Sequence, residues 1–135
     1  MSQENKELLR RFAEEGFNRG DTDVVDEIVA DDFVYNDPTL PSGRDGVKQV
    51  IQMFRMAFPD GRLSIDSLIA EKDLVVARST FTGIQSGEFM GIPPTGRAVR
   101  IQEIDIARIE GGKIAEHWGV TDRYTLMQQL GVIPD

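Results

Sequence analysis

Residues 116–122, EHWGVTD, bring two carboxylates, the only histidine and the only tryptophan of the chain into seven positions. The run just before it, AVRIQEIDIARI, adds Glu103 and Asp105. A carboxyl group set against an indole in apolar surroundings has its pKa raised toward neutrality, which suits proton transfer. If Ile109 pairs with Ile114 across Gly111-Gly112, the antiparallel ladder sets Ala107 opposite Glu116, Asp105 opposite Trp118, Glu103 opposite Val120 and Ile101 opposite Asp122. One face then mixes four acids (Glu103, Asp105, Glu116, Asp122) with Trp118 and aliphatic residues. Two readings stay open. The face lines a pocket with Trp118 as an apolar wall, or its acids pair with Arg62, Arg78, Arg97 or Arg100 on the sheet surface. In this register His117 falls on the opposite face, with Ile104 and Ile106, where it would serve an interface or the surface. Asp105, across from Trp118, would accept from the indole N–H.

Positioning these groups requires a sheet, and the hydrophobic spacing supplies one. Leu8, Leu9, Phe12, Ala13, Gly16 and Phe17 recur at helical spacing, which predicts a helix over residues 3–18. Gly20 stands where a C-cap is wanted, and Asp21 or Thr22 caps a second helix carrying Val24, Val25, Ile28 and Val29. FVYNDP is a short extended run halted at Pro38. A third helix runs from Arg44 to Phe58 and stops at Pro59-Asp60-Gly61. The period then changes to alternation. LSIDSLIAE and LVVARSTFTG form a hairpin around Glu71-Lys72-Asp73, and AVRIQEIDIARI and KIAEHWGVT form another. The connection SGEFMGIPPTGR lacks a Walker lysine and reads as a stiff turn at a pocket mouth. DRYTLMQQLG closes the chain as a short helix. Helices packed on one face of a curved antiparallel sheet make an α+β fold.

The totals limit the function classes. The chain has 135 residues, which suits one domain, residues 1–135. Net charge is −8, from 23 acids against 15 bases, so nucleic-acid backbones and anionic membranes are repelled. With no cysteine and one histidine, thiolate chemistry is impossible and a zinc site would have a poor ligand set. No leader-like or membrane-spanning run stands out, so the expectation is a soluble, cytoplasmic protein.

GEFMGIPPTGRAV, then DIARIEGGKIAEHWGVTD, then LMQQLGVIP resemble the SnoaL-like polyketide cyclase (ester cyclase) family of the nuclear transport factor 2-like superfamily. The blocks stand in the family's order and spacing, and the resemblance covers nearly the whole chain. It implies a cone-shaped, curved antiparallel sheet wrapped by three N-terminal helices, with a short C-terminal helix and a deep apolar pocket. It implies intramolecular aldol ring closure on an ester-bearing polyketide, with no metal and no organic cofactor. The family's catalytic acid/base aspartate matches Asp122, whose other reading is an N-cap for the last helix. The resemblance also implies a homodimer or homotetramer through the outer face of the sheet. Two positions depart from the family: Asn36 and Gln85 stand where members often carry histidine. Both keep a hydrogen-bond donor but transfer no protons near neutral pH.

The expected site is therefore Asp122 as acid/base, with Asn36, Gln85, Asp105, Trp118, Phe54 and Tyr35 binding a small apolar carbonyl compound. Met53, Phe58 and Met90 are further candidates for the lining, though apolar residues at helical spacing are core far more often than ligand contacts. The expected activity is cyclisation by proton abstraction α to a carbonyl. The alternatives are a ketosteroid-isomerase-like isomerase, a ligand-binding module without turnover, and an oligomerising structural domain.

Overall fold

The computed structural model describes residues 2–134. Helix α1 is Ser2–Arg11, and it continues as a wider π-helical segment, Phe12–Asn18. The helical spacing over residues 3–18 does not reveal this widening. The segment ends where the Asn18 side chain bonds the backbone of Leu63, donating to its carbonyl at 2.8 Å and accepting from its N–H at 2.7 Å. Helix α2, Thr22–Ile28, starts at Asp21, whose carboxylate accepts from the Asp23 N–H at 3.1 Å. Strand β1, Val29–Tyr35, precedes helix α3, Gly43–Ala57. Strands β2, Arg62–Glu71, β3, Leu74–Ile84, β4, Ala98–Glu110, and β5, Lys113–Thr121, follow as a meander, and helix α4, Arg123–Gln129, ends it.

The five strands form one sheet in the order β1-β5-β4-β3-β2. This corrects the expectation of a cone-shaped, purely antiparallel sheet. β1 pairs parallel to β5, so the sheet is mixed, and it is open, with β1 and β2 as free edges. The cause is topological. β1 is cut off from the meander by α3, has no hairpin partner, and joins the sheet beside the last strand.

A second correction decides the site. Ile109 does pair with Ile114, but Arg108 then pairs with Glu116, leaving Ala115 as an extra residue in β5. This β-bulge turns every later β5 side chain to the other face. Both Ile114 and Ala115 are buried. Beyond them His117 stands opposite Ala107, Trp118 opposite Ile106, Gly119 opposite Asp105 and Thr121 opposite Glu103. His117 moves to the inner face and Trp118 to the outer one.

Two apolar clusters hold the helices on the inner face. One joins Val25, Ile28, Val47 and Ile51 of the helices to Val75, Ile109 and Ile114 of the sheet. The other gathers Phe58, Phe81, Phe89, Val99 and Leu126. Each such buried aliphatic or aromatic side chain stabilises the fold by about 1.5–3 kcal/mol. No helix among the described residues is long and apolar enough to cross a membrane.

Candidate active site

Between the helices and the inner face of the sheet lies a cavity of about 420 Å³. That is within the ordinary range for a small-molecule site, about 300–1,000 Å³. Phe12 and Phe17 from the π-helical segment, Val47, Ile51 and Phe54 from α3, and Phe33 from β1 give it an apolar wall. The polar groups of the lining come from the sheet: Tyr35, Ser79, Glu103, Asp105, His117 and Thr121, among apolar neighbours such as Ile65, Ala77 and Ala107. Asp37 and Arg123 stand at the rim, joined by a 3.1 Å ion pair between the turn after β1 and the start of α4. Hydrogen bonds from Thr39, then the charge of Arg123, hold the Asp37 carboxyl below the usual carboxylate range.

The polar wall has one short internal contact. His117 Nε2 lies 2.7 Å from Asp105 Oδ1. A carboxylate at Nε2 selects the tautomer with its proton there and leaves the Nδ1 lone pair free to accept. No hydrogen bond to Nδ1 is formed among the described residues. The Tyr35 ring meets the imidazole edge-on, with centroids 5.4 Å apart. Burial, then the charges of Asp105 and Glu103, push the Tyr35 hydroxyl well above its usual range, so it stays a neutral O–H donor.

Glu103 lies two residues before Asp105 on β4, opposite Ser79 on β3 and Thr121 on β5. Burial, then the neighbouring charge of Asp105, push its carboxyl from the usual 4.5 up to about 8. The Thr121 hydroxyl, donating at 3.4 Å, opposes this weakly.

Of the residues expected at the site, Tyr35, Phe54 and Asp105 line the cavity. Four others lie elsewhere. Trp118 is on the outer face because of the bulge and is 37% exposed. Its indole therefore does not face Asp105. Asn36 is exposed and ties β1 to β5, donating to Glu116 and to the His117 carbonyl, each at 3.0 Å. Gln85 is fully buried in the connection between β3 and β4. Its amide donates to the carbonyls of Gly87, Ile92 and Pro93 and accepts from the backbone and hydroxyl of Thr95. It is a staple for that loop, with no free group for a ligand.

Asp122 caps α4. Its carboxylate accepts from the Thr125 N–H at 3.1 Å and the Thr125 hydroxyl at 2.6 Å, and those bonds hold its pKa below the usual value. It is exposed and is not part of the cavity lining.

Sequence reasoning missed His117, Ser79 and the aromatic contribution of the π-helical segment. One signal for His117 was available: the apolar pair Ile114-Ala115 breaks strict alternation, and such a break is where a bulge belongs. Among the described residues no three His, Asp or Glu side chains converge so as to hold a metal ion.

Residues 7–130 match the family model of the SnoaL-like polyketide cyclases. The chain is similar to the nogalonic acid methyl ester cyclase of Streptomyces nogalater, at 32% identity over 120 residues, covering 85% of this chain and 89% of the relative. It is similar to the aklanonic acid methyl ester cyclase DauD of Streptomyces sp. (strain C5), at 27% identity, covering 93% and 80%. Among solved structures it resembles TsrD from Streptomyces laurentii, with a TM-score of 0.91 and 33% identity over 97% of each chain.

Proposed function

The chain belongs to the SnoaL-like polyketide cyclase family, and from that premise we propose that it closes a carbon ring by intramolecular aldol addition on an ester-bearing polyketide held in the cavity. An enzymatic role of the cyclase type accords with the curated cyclases it matches. The observation that carries the mechanism is the Asp105–His117 pair on the polar wall. A C–H flanked by two carbonyls is acidic enough for a neutral imidazole to remove its proton. Asp105 holds the ring by Nε2 and stabilises the imidazolium once Nδ1 has taken the proton. The enolate carbon then attacks a second carbonyl of the same molecule, while the aromatic wall holds the rings in place and limits water. On this reading His117 is the base and Asp122 a structural cap.

The ligand is a compound with a planar or polycyclic apolar body and at least two carbonyl groups. Its body lies against Phe12, Phe17 and Phe54 and its carbonyls face the sheet. We also propose association through the outer face of the sheet, as a homodimer or homotetramer. Ile104, Trp118 and Val120, all exposed there, support it.

Nogalonic acid methyl ester, named for the S. nogalater relative, is a suitable test compound. Ring closure is an isomerisation, so the product keeps the mass of the substrate and differs in absorption and retention. Wild type should convert the ester, and His117→Asn should be slower by about 10²–10⁴-fold, the usual contribution of a general base. An ester that binds the cavity and is recovered unchanged would instead favour a binding module.

A further inference from the structure

The mechanism above uses one of the two carboxyl groups on the polar wall. Asp105 is engaged by His117 at 2.7 Å. Glu103 is not engaged by any cation among the described residues, and its one side-chain hydrogen bond is the 3.4 Å contact from Thr121. The sheet places it deliberately: β4 alternates Ile101, Glu103, Asp105 and Ala107 onto the inner face, and Glu103 is flanked by the short side chains of Ser79 and Thr121. Glu103 and both of these small polar neighbours line the cavity.

We propose that Glu103 is the acid of the reaction: its carboxyl O–H donates to the carbonyl that the enolate attacks and delivers a proton to the alkoxide that forms there. This assignment rests on the cyclase reading and goes beyond it by naming the proton donor.

A carboxyl buried beside a second carboxyl group, and bonded to no cation, retains its proton near neutral pH. Two adjacent carboxyls of unlike surroundings thereby take different roles, Asp105 holding the imidazole and Glu103 donating a proton. The balance is complete. His117 Nδ1 takes the proton from the carbon acid. The new bond joins the enolate carbon to the carbonyl carbon, and the C=O π pair moves to oxygen. That oxygen takes the Glu103 proton and becomes the product hydroxyl. The imidazolium then returns its proton through solvent to the Glu103 carboxylate. Nothing is oxidised and no group leaves.

The titratable and charged groups that share the cavity lining with Glu103 are Tyr35 from β1, Asp37 from the turn after it, Asp105 from its own strand, His117 from β5 and Arg123 at the start of α4. The helical wall, β2 and β3 bring none to the cavity lining.

The test compares the full-length protein with Glu103→Gln, which keeps the shape and an N–H donor but gives up no proton. Two rates are read with nogalonic acid methyl ester: α-deuteration in deuterated water, which reports the base, and ring closure. The infrared spectrum at pH 7 supplies a third reading that needs no turnover. The expected result is a protonated-carboxyl band in wild type that is missing from Glu103→Gln. Deuteration should persist within about threefold, while ring closure falls by about 10²–10⁴-fold. Wild-type ring closure should decline as pH rises above about 8, and that decline should be missing from the variant. Ring closure by Glu103→Gln at the wild-type rate overturns the assignment. So does an equal loss of both rates, or the absence of the infrared band. A wild type that shows the band but neither deuterates nor cyclises the ester overturns the cyclase reading itself, and the acid role with it.

Discussion

Gly119 stands directly opposite Asp105 in the β4–β5 ladder, and a Cβ there would lie 2.6 Å from Asp105 Oδ1 and 2.7 Å from His117 Cε1. The missing side chain is the space in which the imidazole and the carboxylate meet.

Gly119→Ala should therefore leave the fold in place and separate the pair. The position needs no left-handed backbone, so strain in the chain does not confuse the result. We expect near-native melting and a loss of at least about tenfold in ring closure, since a misoriented base forfeits much of its typical contribution. Unchanged turnover in a folded variant would show that the Asp105–His117 contact is dispensable.

Glu103 gives the stability a definite pH dependence. Its carboxyl titrates near 8 in the folded chain and near 4.5 when unfolded. Between those values the folded state holds a proton that the unfolded state has released. The Glu103 contribution is thus fully present below about pH 4.5 and is lost as pH rises through 8. Melting temperatures of wild type should fall relative to Glu103→Gln across that window. Parallel curves for the two proteins would mean that Glu103 titrates normally. Asp105→Asn should move the same transition to lower pH, because the charge of Asp105 is one of its causes.

Gln85 is predicted to matter for stability and not for chemistry. Gln85→Leu strands three loop carbonyls and two donors of Thr95. Buried groups left unpaired cost about 1–3 kcal/mol each, and partial solvation of the loop should limit the total to about 3 kcal/mol. Denaturant unfolding measures it. The folded fraction should still cyclise. A fully stable variant that no longer turns over would return Gln85 to the site.

Much of this arrangement is legible in the residues. Val47, Val50, Ile51 and Phe54 announce α3 by their spacing, and Gly111-Gly112 announces the last hairpin with Ile109 against Ile114. Tyr35, Phe54 and Asp105 are identifiable as facing inward. The placement of His117 and Trp118 fails for a local reason. Alternation carries no memory of an inserted residue, so the bulge at Ala115 exchanges His117 with Trp118 and takes the indole out of the site. The mixed sheet is illegible for another reason: which edge β1 joins depends on contacts far along the chain, and nothing in VADDFVY favours a parallel neighbour.

The central claim is that the base is His117 held by Asp105, and α-proton exchange tests it most directly. Wild type, His117→Asn and Asp122→Asn are incubated with nogalonic acid methyl ester in deuterated water, and deuteration is followed by mass spectrometry. Asparagine caps a helix about as well as aspartate, so Asp122→Asn stays folded while losing its carboxylate. The account predicts exchange by wild type and by Asp122→Asn, and its loss in His117→Asn. Exchange that persists in His117→Asn and disappears in Asp122→Asn would contradict it, and would make the helix cap the working base.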